Sequence, residues 1–227
     1  GIQISKGASS VKNGVQGITG QINTELIKPY EAPLLFVNFF GNYTGRLELN
    51  LQVNYRLTKN WSTGLLVHGN YYGSEFDQNE DSFLDIPKKK QANVLSRWMY
   101  KTDNLHFEFN IHGIWDSRYG GQTNTLYEAV FDSTAARLYQ VSSEIRRIGV
   151  FGKLGYFGFY NPGQSLALVF DANIHQHQSV FGNRRYSGLQ RRVYLNMIYQ
   201  TTIVNKEHNL STGINYDLID FEEQFSD

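Results

Sequence analysis

Residues 47–57 read LELNLQVNYRL, with Leu47, Leu49, Leu51, Val53, Tyr55 and Leu57 on one parity and Glu48, Asn50, Gln52, Asn54 and Arg56 on the other. Strict alternation has a period of two, so the run is an extended strand with an apolar face and a polar face. At about 3.3 Å per residue it spans roughly 36 Å, and tilted by about 45° it covers roughly 25 Å of depth. Strands in globular domains are usually about half that length.

The pattern recurs. In 61–71, Trp61, Thr63, Leu65, Val67 and Tyr71 oppose Ser62, Gly64, His68 and Asn70. In 105–115, Leu105, Phe107, Phe109, Ile111 and Trp115 oppose His106, Glu108, Asn110 and His112. Segments 166–174 and 210–218 repeat it, and weaker versions lie at 34–43, 92–100, 148–159 and 193–201. Nine antiparallel strands are predicted.

Their connections alternate in length. Short ones fall at 58–60, 102–104, 161–164 and 202–208, and long ones at 73–91, 118–144 and 179–190. Short turns at one end and long loops at the other are the pattern of an outer-membrane β-barrel. A soluble sandwich has no need of that asymmetry. Aromatic residues make up 15% of the chain and charged residues only 19%. Tyr55, Trp61, Tyr100 and Tyr160 flank the short-turn end, and Tyr71, Tyr72, Trp115 and Tyr119 the long-loop end, as interfacial girdles do. Lipid requires the apolar parity outside, so the polar parity must line a lumen.

Lys and Arg together number 21, matching 21 Asp and Glu, and the basic clusters are short and scattered, which argues against a nucleic-acid partner. The absence of cysteine excludes disulfide scaffolds, thiol nucleophiles and cysteine-ligated metal. No run of 18 apolar residues forms a transmembrane helix. No G-x-S-x-G, P-loop or H-E-x-x-H motif points to an enzyme. The sequence begins at Gly1, with its first methionine at Met99, and is expected to be a processed or partial piece of a longer protein.

Residues 1–30 do not alternate over a long span. They predict a short strand at 2–4, a turn at Lys6-Gly7, a helical turn capped by Ser9 or Ser10 and ending near Gly14, and a second strand at 20–27, with Pro29 and Pro33 interrupting the chain before the first long strand. The stretch IQISKGASSVKNGVQGITGQIN resembles the end of the plug domain of TonB-dependent outer-membrane receptors, with Lys6, Gly7, Ser9, Ser10, Val11, Gly14, Ile18, Gly20, Ile22 and Asn23 at that family's positions. Ala8 departs from the common proline.

The resemblance implies that residues 1–30 are the C-terminal part of a small mixed α/β plug. Residues 31–227 would then be the N-terminal part of an all-β transmembrane antiparallel barrel, about nine strands of roughly 22. It implies residence in the outer membrane of a Gram-negative bacterium, surrounded by lipid. The function implied is import of a scarce ligand, driven by TonB through a segment not contained in these residues. The GITGQIN ending is closer to receptors for metal chelates such as siderophores than to glycan importers, which usually end Ala-Asn-Gly-Val. A glycan or peptide importer of the same family, and a plugged barrel serving as a structural subunit among outer-membrane partner proteins, are the alternatives. A passive porin has no use for a plug ending.

In the family, the basic residue at the Lys6 position is typically held by a wall carboxylate, and Glu48, Glu108 and Asp171 have the inward parity. His68, His112, His175 and His177 share that parity toward the long-loop end, where with Asp171 they would line the ligand path. Only His175 and His177 are spaced to chelate as a pair, and plain polar lining is the alternative. No cofactor is required. Asp77, Asn79, Asp81 and Asp85 put oxygens at positions 1, 3, 5 and 9 of a calcium loop, with the Phe83 carbonyl at position 7. Ser82 replaces the usual glycine and Lys88 the closing glutamate, so calcium and an ordinary acidic loop both remain open.

Overall fold

The computed structural model describes residues 1–7, 20–123, 139–161, 163–203 and 208–227. The chain opens with β1 (Ile2–Lys6) and β2 (Gly20–Thr24), an antiparallel pair in which Ile2 faces Thr24 and Lys6 faces Gly20. The expected helical turn after Ser9 or Ser10 lies outside the described residues. The second strand ends at Thr24 rather than residue 27.

Nine strands follow: β3 (Leu35–Gly41), β4 (Leu47–Arg56), β5 (Trp61–Tyr72), β6 (Lys88–Lys101), β7 (Leu105–Gly121), β8 (Gln140–Tyr156), β9 (Ser165–Phe181), β10 (Arg184–Ile203) and β11 (His208–Ser226). They form one antiparallel sheet in chain order. The described residues are all-β. The sheet has two edges, β3 and β11, and is not closed.

Strands β7 to β11 are 17 to 20 residues long, exceeding their apolar runs. This corrects the expected loop at 179–190 and carries the strand predicted at 210–218 well past its apolar run. Residues 179–190 are not a long loop, because β9 and β10 pair without interruption down to Phe181 opposite Arg184. Gly182 and Asn183 make the turn, and Gly182 has φ 60°, the left-handed value a II′ hairpin needs at its first central position. Residues 220–226 likewise stay in the sheet, with Asp220 opposite Arg191 and Ser226 opposite Arg185. The two remaining long connections shrink to 73–87 and 122–139 as their flanks are drawn into strands.

Burial across the sheet runs opposite to that of a globular core. Asn54 and Arg97 are 3% exposed and Asn173 and Asn196 7%, whereas Leu49 is 46% and Ile148 60% exposed. Pairing partners share a face, so the register sorts the wall. Val53, Leu65, Ser96, Ile111, Val150, Ala172, Val193 and Leu218 form one row of the exposed face. Asn54, Gly64, Arg97, Asn110, Phe151, Asp171, Tyr194 and Asp217 form the next row, on the sheltered face.

The apolar band has definite ends. On β9 it runs from Leu166 through Leu168, Phe170 and Ala172 to Ile174, about 26 Å along the strand. At the short-turn end, the Trp61 ring lies 5.0 Å from Tyr100 and 6.4 Å from Phe107. At the other end, charge replaces it on the same face: Arg191 bonds Asp220 and Glu222, both at 2.7 Å, and Arg146 bonds Glu144, also at 2.7 Å. Tyr72, expected in the upper girdle, instead points to the sheltered face and is 3% exposed.

Candidate functional site

The chemistry collects on the sheltered face. Strand alternation brings asparagines, histidines and carboxylates repeatedly to that face, and they bond one another both across the ladder and two residues along the same strand. His68 Nδ1 lies 2.7 Å from Asn50 Oδ1, Asn70 donates to Glu48 at 2.7 Å, Asn110 to Glu108 at 3.0 Å and Asn173 to Asp171 at 2.6 Å. Such a lattice offsets the desolvation that burial imposes on each polar group. Asn93 Oδ1 and Asn110 Oδ1 are buried without a protein partner. Both residues line a hollow of about 600 Å³ over β3 to β8, where Leu66, Leu95 and Phe151 meet Asn50, His68 and His112.

The histidines of that face are spread out rather than gathered. His68 and His175 share one register row, four strands apart and so about 19 Å across the sheet. His112 occupies the next row toward the short turns, where Gly149 leaves room for its ring beside Asn173. His175 and His177 have ring centroids 6.5 Å apart, and His177 Nε2 is engaged by Ser179 Oγ at 2.7 Å and Ser143 Oγ at 3.1 Å. Asp171 shares its row with Asn110 and Asp217, and Asp217 takes a two-pronged bond from Arg192 at 2.9 Å. Among the described residues, no group of three or more metal-ligating side chains is assembled.

The expected anchoring set is not brought together. Lys6 is exposed on β1, while Glu48 is paired with Arg46 and Asn70, and Glu108 with Arg97 and Asn110. Glu108 shares the row of Arg56, eight residues along β4 from Glu48, and lies three strands away, so the two carboxylates are separated by about 26 Å along the strands and about 14 Å across them.

The acidic loop is organised around its own backbone. Asp77 accepts from the amides of Asp81 at 3.2 Å and Ser82 at 2.8 Å, Asp81 from Phe83 at 2.8 Å, and Asp85 from Gln78 at 2.8 Å. Asn79 donates to Asp81 at 2.9 Å, and Phe83 bridges to Gln122. Its carboxylates serve as turn acceptors for the loop's own amides.

A constellation the sequence did not announce lies near the short-turn end. Three side chains of the wall donate to main-chain carbonyls of residues 25–34: Arg97 to Ile27 at 2.8 Å, Arg56 to Tyr30 at 3.1 Å and Asn54 to Pro33 at 2.7 Å. Arg97 also meets Glu108 at 3.3 Å. The available signal was Arg97 itself, a cation on the inward parity of the predicted strand 92–100, where the other inward residues, Asn93, Leu95 and Met99, are uncharged.

Comparison with protein-family models, with curated proteins and with solved structures gives no match.

Proposed function

We propose that this chain is part of a TonB-dependent outer-membrane receptor that imports a scarce ligand, a metal chelate by preference, through a lumen lined by the sheltered polar face. The observation that carries this is the inverted burial: polar side chains sheltered and a continuous apolar band exposed. Leaving one large apolar side chain in water rather than burying it forgoes about 1.5–3 kcal/mol. With Leu49, Val53, Leu65, Val94, Ile111, Ile148, Ile174, Val193, Leu195, Ile214 and Leu218 each 36–68% exposed, the total is on the order of 10 kcal/mol, comparable to a domain's whole net stability.

Hydrocarbon removes that cost, and the band's height suits it. About 26 Å of strand, tilted by about 45°, covers roughly 18 Å of depth and so fits within the roughly 25 Å apolar belt of an outer-membrane barrel. The free edges of β3 and β11 find partners if further strands complete a barrel, because an unpaired edge is not tolerated in lipid. The ending of residues 2–23 supplies the plug and, through the resemblance, the coupling to TonB.

The test is uptake by the intact protein in its host. Membrane fractionation is expected to place the protein in the outer membrane. Deleting its gene is expected to abolish iron-limited growth on at least one ferric chelate, with uptake stopped by a proton-gradient uncoupler. Normal growth on every chelate tried, together with a stable partner covering the lumen mouth, would instead make the protein a structural subunit. Loss of growth on an oligosaccharide or peptide would move the ligand class.

A further inference from the structure

We infer that residues 25–34 form a strap fixed to the polar wall, with Arg97 as its positioning residue, so that β1 and β2 hang from a static anchorage rather than from a loose linker. The wall reaches the strap at three carbonyls spaced three residues apart, Ile27, Tyr30 and Pro33, through Arg97, Arg56 and Asn54. Bonds to carbonyls hold the backbone whatever side chains the strap carries. Between them, Pro29 is the one buried residue in the run 20–35 and packs on Gly64, where the missing side chain makes the space. The Lys101 ammonium stands 5.5 Å over the Tyr30 ring, and the amides of Glu31 and Ala32 both bond the Lys28 carbonyl, closing a turn.

Arg97 does two jobs at once. One guanidinium nitrogen holds Ile27 and the other meets Glu108, which balances its charge. Its side chain is 4% exposed, so losing the Ile27 carbonyl would leave a buried donor unpaired, and this opposes release. A lysine has a single ammonium and cannot reproduce the fork. These contacts stand apart from the receptor assignment. Only the consequence, that a pull on the plug would meet its fixed end at Glu25, rests on it.

The test is oxidative cross-linking of the full-length Pro29→Cys/Gly64→Cys protein. A Cβ at position 64 would lie 3.6 Å from that of Pro29, within the roughly 3.5–4.5 Å that disulfides span, and 2.8 Å from Asn54 Oδ1, so the Asn54 amide must turn aside in every variant of this background alike. Residues 1–227 contain no cysteine to compete. The pair is expected to oxidise rapidly. Arg97→Ala in the same background is expected to slow the reaction about tenfold, the loss of one hydrogen bond to a charged group. Arg97→Lys, which keeps the charge, is expected to fall between, and Asn38→Ala, away from the strap, to change nothing. Failure of the parent pair to cross-link in protein with an unchanged circular dichroism spectrum would overturn the strap. So would an unchanged rate in Arg97→Ala, or in Arg97→Lys should the alanine variant not fold. Membrane partition is measured alongside, and failure there would sink the receptor assignment while leaving these rates as they are.

Discussion

Strand β9 is two materials on one backbone. From Leu166 to Ile174 its outward residues are apolar. From Gln176 onward the same face carries Gln176, Gln178 and Val180, although the ladder to β8 and β10 continues unbroken to Phe181. The same change occurs on β10 between Val193 and Arg191, and on β11 between Leu218 and Asp220. The pairing register runs through the line without a break, so what changes there is the medium the face is suited to. The lower half needs contact with something apolar, and the upper half is made for water.

The sharpest way to break this comparison is to place a cation on each side of the line. Val150→Arg, on the apolar face of the lower half, is expected to cost about 2–4 kcal/mol when the full-length protein is unfolded from phospholipid vesicles. Gln178→Arg, on the same face above the line, is expected to stay within about 0.5 kcal/mol. Equal costs would remove the distinction.

A smaller effect sharpens the picture within the band. The Phe170 ring lies over Gly152 where a Cβ would go, whereas the Cβ position at Gly113 is open. Gly152→Ala is therefore expected to displace the ring and cost about 1 kcal/mol or more, with Gly113→Ala nearly neutral in the same unfolding assay. Single-tryptophan variants test depth without an energy. Trp98, two rows in from the short-turn edge, is expected to be quenched more by deeply brominated acyl chains than Trp115, near the charged line. Uniform quenching would mean the band does not lie across the bilayer.

The smallest effect belongs above the line. A hydrogen bond from Arg146, with another from the Trp115 indole, holds the Glu144 carboxyl below the usual glutamate range. A depressed carboxyl contributes its full stability above the unfolded-state pKa and loses it as pH falls through the folded one. Trp115 fluorescence is expected to change over that acid window and to lose the change in Glu144→Gln.

Strand identity was legible wherever one parity was apolar: all nine long strands were anticipated, and residues 102–104 connect β6 to β7 as expected. The legibility stopped where the apolar parity stopped. Residues 179–190 carry polar groups on both faces over much of their length, so alternation gave no contrast there, although the Gly182-Asn183 pair is itself a tight-hairpin signature. The site was less legible, because parity tells which face a residue takes but not how far along it. Glu48 and Glu108 both point inward, yet lie in rows at opposite ends of the wall. The strap escaped notice because its recognition runs through carbonyls, which leave no mark on residue identity.

The tip formed by Gly182 and Asn183 stands seven or more residues beyond the apolar band and is built as ladder rather than loop. Such a tip tolerates exchange of side chains at any outward position, but one inserted residue would turn every residue beyond it to the opposite face. Lineages that diversify this extremity are therefore restricted to substitutions, or to length changes made in matched pairs on the two strands, whereas the connection at 73–87, between β5 and β6, carries no such ladder constraint.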